Sequence, residues 1–490
     1  MTESVEQLDP TQELSTDIIK KRAAKGAAIL TGRNILVQLI SFVSLGLLTV
    51  FLSPAEFGLF YIVSAVKNFL AYFADIGFAG ALIQKKEKLT NEELKTVFTS
   101  QQVLVLIILF VVFIATPFIQ NVYKLNQEGI YLLWALSLSL LLSSLKTVPT
   151  VLMERRLEFN KWVIPQIIEA IIFNGTAVYL AWQGYGVTSY TIAILLSGTI
   201  GLVITYLVQP WLPKVAFSLS AFRSILKFGF PYQVNTILAM IKDDGMTLFL
   251  GGVLGPSSFG VLGWAQKWAY APLRFFMDQV IKVTFPAFSR MQDNKDELSK
   301  AVTKTIFFVC LLVFPSLVML LYLAPILVEI IPKYEKWEPG LLALTILSIT
   351  CALAAITTPL TNTLNAIGKI GITFKLMVMW TVLTWLFVPF LAINFGINGA
   401  AAGFTLVGLS SFVALFVVSK YISIDYLNCV GKPIIVSLIL GLVLYIVGGL
   451  LTPSIFEVIM LIGVGGITYL LVVYVVEPST FKMVGNMFKK

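Results

Sequence analysis

The sequence predicts an all-α polytopic membrane protein: two six-helix lobes related by a pseudo-twofold along the membrane normal, followed by two extra C-terminal helices, about 14 transmembrane helices in all. Three observations carry that reading. Only 12% of the 490 residues are charged and 58% are hydrophobic, whereas a water-soluble chain carries roughly 25% charged residues to face its solvent. The apolar residues fall in blocks near the ~20 residues that cross a bilayer as a helix. A short corner is also written twice. "FLSPAEFGLF" at 51–60 and "VLGPSSFGVL" at 253–262 match at Leu52/Leu254, Pro54/Pro256, Phe57/Phe259 and Gly58/Gly260, a constant spacing of 202.

Residues 1–27 are polar, with five acids ahead of Lys20, Lys21, Arg22 and Lys25. They read as a cytoplasmic segment, either a surface amphipathic helix capped by Ser15 or Thr16 or a tail without structure. No apolar core with a cleavage site marks a secretory signal there. Spans near 28–51, 58–83, 96–119, 129–151, 162–182 and 188–208 make a first lobe over 28–210, followed by a cytoplasmic linker at 211–225. Spans near 226–250, 258–285, 304–331, 341–364, 370–394 and 398–419 make a second lobe over 226–421. Two more, near 433–451 and 455–476, occupy 432–476 ahead of a cytoplasmic tail at 477–490.

Orientation follows from Lys and Arg, which accumulate in cytoplasmic loops. With both termini inside, most of the 35 Lys and Arg fall on the cytoplasmic side, and only Lys124, Lys333 and Lys336 fall outside. Both matched corners then lie on the outer face. A second set of matches, Pro149/Pro359, Gly186/Gly396, Leu196/Leu406 and Gly198/Gly408, holds a spacing of 210 at equivalent places in the two lobes. Six spans per copy is an even number, so the copies share one orientation, the parallel repeat of a transporter built around a central cavity.

Catalytic signals are missing from the sequence. Histidine is absent, Cys310, Cys351 and Cys429 are scattered, and no phosphate-binding loop occurs. What remains is charge inside the spans, costly unless paired or wetted and therefore a functional candidate. The second span carries Lys67 and Asp75, the fourth Lys146, the fifth Glu169, the seventh Lys242, Asp243 and Asp244, and the eighth Lys267, Arg274, Asp278 and Lys282. At 100° per residue, Lys267, Ala271, Arg274 and Asp278 share one face, which must meet water or a partner helix. Lys67 and Lys267 lie about ten residues into inward-going helices, roughly 15 Å below their outer ends. Lys146 and Glu169 either pair or line the cavity. Lys242, Asp243 and Asp244 are either a local ion cluster or part of it. Lys282 snorkels, and the aromatic residues of the eighth span, among them Trp264 and Trp268, read as packing.

The stretch from 51 to 94 resembles the polysaccharide (oligosaccharide-lipid) flippases of the multidrug/oligosaccharidyl-lipid/polysaccharide exporter superfamily. The similar parts are the LSPxxFGL corner, Ala74-Asp75 with Gly77-Phe78, and Ala81 to Gln84 followed by Lys85. The branch serving colanic acid, teichuronic acid and related exopolysaccharides is the most similar. The resemblance implies a MATE-like fold, no enzymatic activity and no cofactor, with coupling to membrane potential or to H+/Na+ left open. It implies a multi-pass protein of the bacterial inner membrane that moves undecaprenyl-pyrophosphate-linked oligosaccharide repeat units outward by alternating access. A polysaccharide polymerase is a candidate partner, and nucleic acid is not. Cations lining the cavity would hold the pyrophosphate: Lys67, Lys267 and Arg274 by position, with Lys242 and Lys146 beside them. Asp75, Asp278, Asp243, Asp244 and Glu169 would balance their charge or couple transport to an ion. The rivals are export of another lipid precursor or of drugs on the same fold, and a membrane polymerase or glycosyltransferase. Drug exporters of the superfamily commonly carry a carboxylate in the first span, and this chain has none there.

Overall fold

Where a helix starts in water, its first N–H groups need acceptors, and this sequence supplies them. The computed structural model describes residues 16–74, 77–85, 88–223 and 238–478, and every regular element among them is helical. Helix α4 (Asn91–Tyr123) opens on a reciprocal box: Thr90 Oγ1 accepts from the Glu93 N–H, and the Glu93 carboxylate accepts from the Thr90 N–H. Asn126 caps α5 (Gln127–Arg155) by accepting from the Gly129 N–H at 2.9 Å.

The first corner is built the same way. Helix α1 (Thr16–Phe51) ends, and α2 (Pro54–Ala74) begins with proline at its first position, where the missing N–H forfeits no bond. Glu56 Oε2 accepts from Ser53 N at 2.6 Å and Ser53 Oγ at 2.8 Å, and the Glu56 N–H donates back to Ser53 Oγ at 3.3 Å.

The second corner has no such box. Helical hydrogen bonding runs on through α8 (Met246–Arg290), yet Gly255 sits at φ 73°, ψ 168°, a region open essentially to glycine alone. Pro256 then opens the next straight run. Gly396 breaks α11 (Ile370–Leu409) in the same manner at φ 60°, ψ −137°. Among the described residues, 12 helical stretches are long and apolar enough to cross a membrane. The two glycines divide the longest pair, Leu238–Met277 and Ile370–Ser419, at the breaks expected between the seventh and eighth and between the eleventh and twelfth spans.

Matched residues take matched conformations. Gly186 and Gly396 both have positive φ, 52° and 60°. Pro149 in α5 and Pro359 in α10 (Leu341–Ala366) are both buried within their helices. Leu196 and Leu406 are each 42% exposed. Gly198, in α7 (Thr188–Val208), lets that helix approach Leu142, and Gly408 does the same against Thr350 and Leu353.

One span departs from the expectation. The second, read as continuous over 58–83, stops at Ala74; Gly77 takes a left-handed φ of 79° and α3 (Phe78–Gln84) starts afresh. Glycine was the signal, since α3 follows a conformation that a side chain resists.

By contact the chain forms two units, Met1–Ser257 and Ser258–Lys490. The sequence repeat opens its second copy at 226, but the seventh span packs with the first unit. A Cβ on Gly251 would lie 2.7 Å from Ile62 Cγ1, and Gly252 faces Tyr123 and Val122. The linker also belongs there: Ala216 N and Ser218 N donate to Thr99 and Thr96 Oγ1, each at 3.1 Å, and Trp211 lies edge-on to Phe98. Residues 224–237, which open the expected second lobe, lie outside the described residues, as do 1–15 and 479–490.

The first unit is cored by Leu52, Val63, Val105, Leu132 and Leu133, with Phe78, Leu82, Phe98 and Leu152 forming a second cluster. The second unit packs α9 (Lys295–Ile330) against α10 through Val302, Ile306, Cys310, Cys351 and Leu360. It also contains α12 (Ser411–Ser419), α13 (Lys432–Gly448) and α14 (Ile455–Val476). All three cysteines are buried and free. Outside, the usual polarity is inverted: Phe110 is 64% exposed, Phe118 70% and Leu207 73%. Such faces are stable against lipid tails and not against water.

Candidate functional site

In the first unit a π-helical turn, Ile241–Gly245, interrupts the seventh span; one inserted residue of this kind re-aims the side chains around it. Lys242, half-buried, and Asp243, exposed, form an ion pair at 2.9 Å, of small energetic value. Asp244 turns to α2 instead. Asn68 and Tyr72 hydrogen-bond its carboxylate, and Lys67 supplies the nearby positive charge. Lys67 Nζ also reaches Asn68 Oδ1 at 3.5 Å. Lys67 stands thirteen residues below Pro54, about 20 Å along the helix axis. It is therefore deeper than the sequence-based boundary placed it, because α2 starts at Pro54 and not at 58.

Lys146 and Glu169, on α5 and α6 (Phe159–Trp182), are brought together as an ion pair. Gly201 of α7 makes the room: a Cβ there would fall on the Glu169 carboxylate. Three helices of the first unit thus meet at one ion pair.

In the second unit, α8 runs without interruption from Pro256 to Arg290. Lys267 and Arg274 stand two turns apart on one face, and both are exposed. Each acts on the other as a like charge. An ammonium and a guanidinium within an apolar span cannot rest in lipid at low cost, so this face meets water, an anion or a partner helix. Asp278 continues the stripe in sequence, but its side chain lies outside the described residues, and Asp75 lies outside them altogether. Lys282 is exposed near the end of the helix. Trp264 is packing, as its spacing suggested. It is 2% exposed, stacks on Trp337 at 5.6 Å and donates to Tyr334 Oη at 3.2 Å.

Sequence reasoning passed over Asn68, Tyr72 and Gly201. Asn68 and Tyr72 are four apart on α2, one helical face, so a pattern existed. Gly201 carried no signal, since its role appears only once α6 and α7 are in contact.

A chain whose described elements are all helical, with apolar faces outward, matched corners and cations within its spans, is a polytopic membrane transporter of MATE-like fold. Residues 47–340 match the family model described as "Polysaccharide biosynthesis protein", and the chain belongs to that family. It is 26% identical over 411 residues to the lipopolysaccharide biosynthesis protein WzxC of Escherichia coli K12, covering 81% of this chain and 80% of that protein. It is 27% identical over 264 residues to the succinoglycan biosynthesis transport protein ExoT of Rhizobium meliloti, 54% and 53% of the two chains. A solved structure of the lipid II flippase MurJ, in an inward closed conformation, superposes with a TM-score of 0.74 at 17% identity over 91% of this chain and all (100%) of that one. An inward-facing multidrug resistance MATE family transporter gives 0.61 at 15% identity, covering 78% and 94%. These two likenesses show the fold.

Proposed function

We propose that the protein is a flippase that carries undecaprenyl-pyrophosphate-linked oligosaccharide repeat units from the cytoplasmic to the outer leaflet of the bacterial inner membrane by alternating access. The observation that carries the reading is the like-charged pair Lys267 and Arg274 on one exposed face of a membrane-spanning helix. Two cations there suit a doubly charged pyrophosphate, and the guanidinium fork can hold a phosphate through two parallel bonds where an ammonium offers a point charge. The relatives support a polysaccharide precursor as cargo, being named for lipopolysaccharide and succinoglycan biosynthesis.

Lys67, on α2, would be a further cationic contact for the pyrophosphate, with the Asp244 carboxylate nearby competing for it. No nucleotide is needed on energetic grounds. About two negative charges moving outward through an inside-negative potential of ~100 mV gain roughly 4–5 kcal/mol.

The test is reconstitution into sealed vesicles with a polyprenyl-pyrophosphate oligosaccharide bearing a lectin-reactive sugar. Appearance of the sugar on the far leaflet, faster when the potential favours anion movement, is the expected result. Vesicles that move a drug cation or another lipid precursor while leaving this lipid in place would refute the assignment.

A further inference from the structure

A second site lies away from these cations, where α1 meets the turn between α5 and α6. An open pocket of about 240 Å³ is walled by Ile29, Leu157 and Phe159 and rimmed by Lys25 and Lys161. Glu158 is the one carboxylate among its lining residues, and it is engaged by Lys161 at 3.0 Å. Lys25 is exposed, so its charge is the lining's surplus. Gly26 brings the helices together here, since a Cβ would run into the Phe159 ring.

The turn itself is strained. Helix α5 closes with a double C-cap: Glu158 N donates to Met153 O and Leu157 N to Glu154 O, each at 2.9 Å. This geometry calls for a left-handed residue after the cap, ordinarily glycine. The chain places Leu157 there at φ 55°, at a cost on the order of 1 kcal/mol. In return, an isobutyl group becomes part of the pocket wall.

Lys25 stands just before the apolar stretch Ala28–Phe51, at the end of the bundle that the Lys and Arg distribution assigns to the cytoplasm. Lys20, Lys21 and Arg22 precede it in sequence. Basic pockets between helices at this level suit anionic lipid head groups.

We infer that this pocket binds the phosphodiester head group of an anionic membrane phospholipid, with Lys25 and Lys161 on the phosphate and Ile29, Leu157 and Phe159 against the start of its chains. The inference does not depend on what the protein transports.

The full chain, purified in neutral detergent, is titrated with phosphatidylglycerol, phosphatidylcholine, soluble glycerophosphate or inorganic phosphate. Bound lipid is read by native mass spectrometry and stability by thermal unfolding. Saturable retention of phosphatidylglycerol is expected, with Lys25→Glu raising its half-saturation roughly tenfold and Lys25→Gln by less. Leu157→Gly should raise the melting temperature of the lipid-free protein while weakening lipid retention. Equal retention of phosphatidylcholine would overturn the inference, as would a Lys25→Glu protein that binds as wild type. Stabilisation by inorganic phosphate equal to that by phosphatidylglycerol would assign the site to a free anion and overturn the lipid.

Discussion

The second helix of the first copy and its counterpart in the second share a proline-glycine corner and little else. The first begins at a Ser53–Glu56 box and ends at Ala74. The counterpart begins after Gly255 with no box and runs straight to Arg290. Their cations differ in kind. Lys67 has a carboxylate nearby, Asp244, which Asn68 and Tyr72 hydrogen-bond, whereas the near charge felt by Lys267 is the like charge of Arg274. A duplicated scaffold thus keeps its turn geometry while its electrostatics diverge. The first cation lies near a carboxylate of the seventh span, and the second stands near another cation of its own helix.

The largest effect expected of a single change is at the paired charges. Lys146→Ala leaves Glu169 half-buried without its ammonium, and breaking such a pair costs about 3 kcal/mol or more. Folded protein recovered from membranes should drop sharply. The double change Lys146→Leu with Glu169→Leu should restore it, because neither charge is then stranded. If Lys146→Ala instead accumulates normally, the pair is not a structural lock.

Asp244→Asn sharpens the comparison from the other side. The amide can still bond Asn68 and Tyr72 but no longer neutralises Lys67. The variant should fold, bind a soluble pyrophosphate ester about tenfold more tightly and release it more slowly, since close charge pairs couple by more than 1 kcal/mol. Unchanged binding would separate Lys67 from the substrate path.

The corners themselves give the smallest effects. Ser53→Ala removes a cap and should cost about 1 kcal/mol. Ser257→Ala, at the matched corner without a box, should stay within about 0.5 kcal/mol of wild type. Equal losses in thermal unfolding would erase the distinction between them.

Much of this was legible before any coordinates. Hydropathy located the spans because lipid selects apolar faces without regard to partners. Gly186/Gly396 and Pro149/Pro359 exposed the repeat because a positive φ and a proline inside a helix are uncommon and mark equivalent places. The break after Ala74 was harder to see, since Gly77 lies inside an apolar run and reads as one more small residue. The site was half visible. The stripe of Lys267 and Arg274 follows from helical period alone, whereas the sequence offered five carboxylates to balance the cations and no means of matching Asp244 to Lys67. The π-turn that presents Asp244 depends on one extra residue per turn, which sequence period does not announce. Seating the seventh span with the first unit likewise rests on Gly251 against Ile62, a contact far apart in sequence.

The most direct measurement compares Lys267→Ala, Arg274→Ala and Arg274→Lys in the same cells, scoring folded protein and exported lipid-linked sugar together. Both alanine variants should keep wild-type amounts of folded protein and lose most export. Arg274→Lys should recover only part, since an ammonium lacks the bidentate fork. Normal export with normal protein in both alanine variants would contradict the claim that this face receives the pyrophosphate, and loss of the protein itself would make these two cations structural.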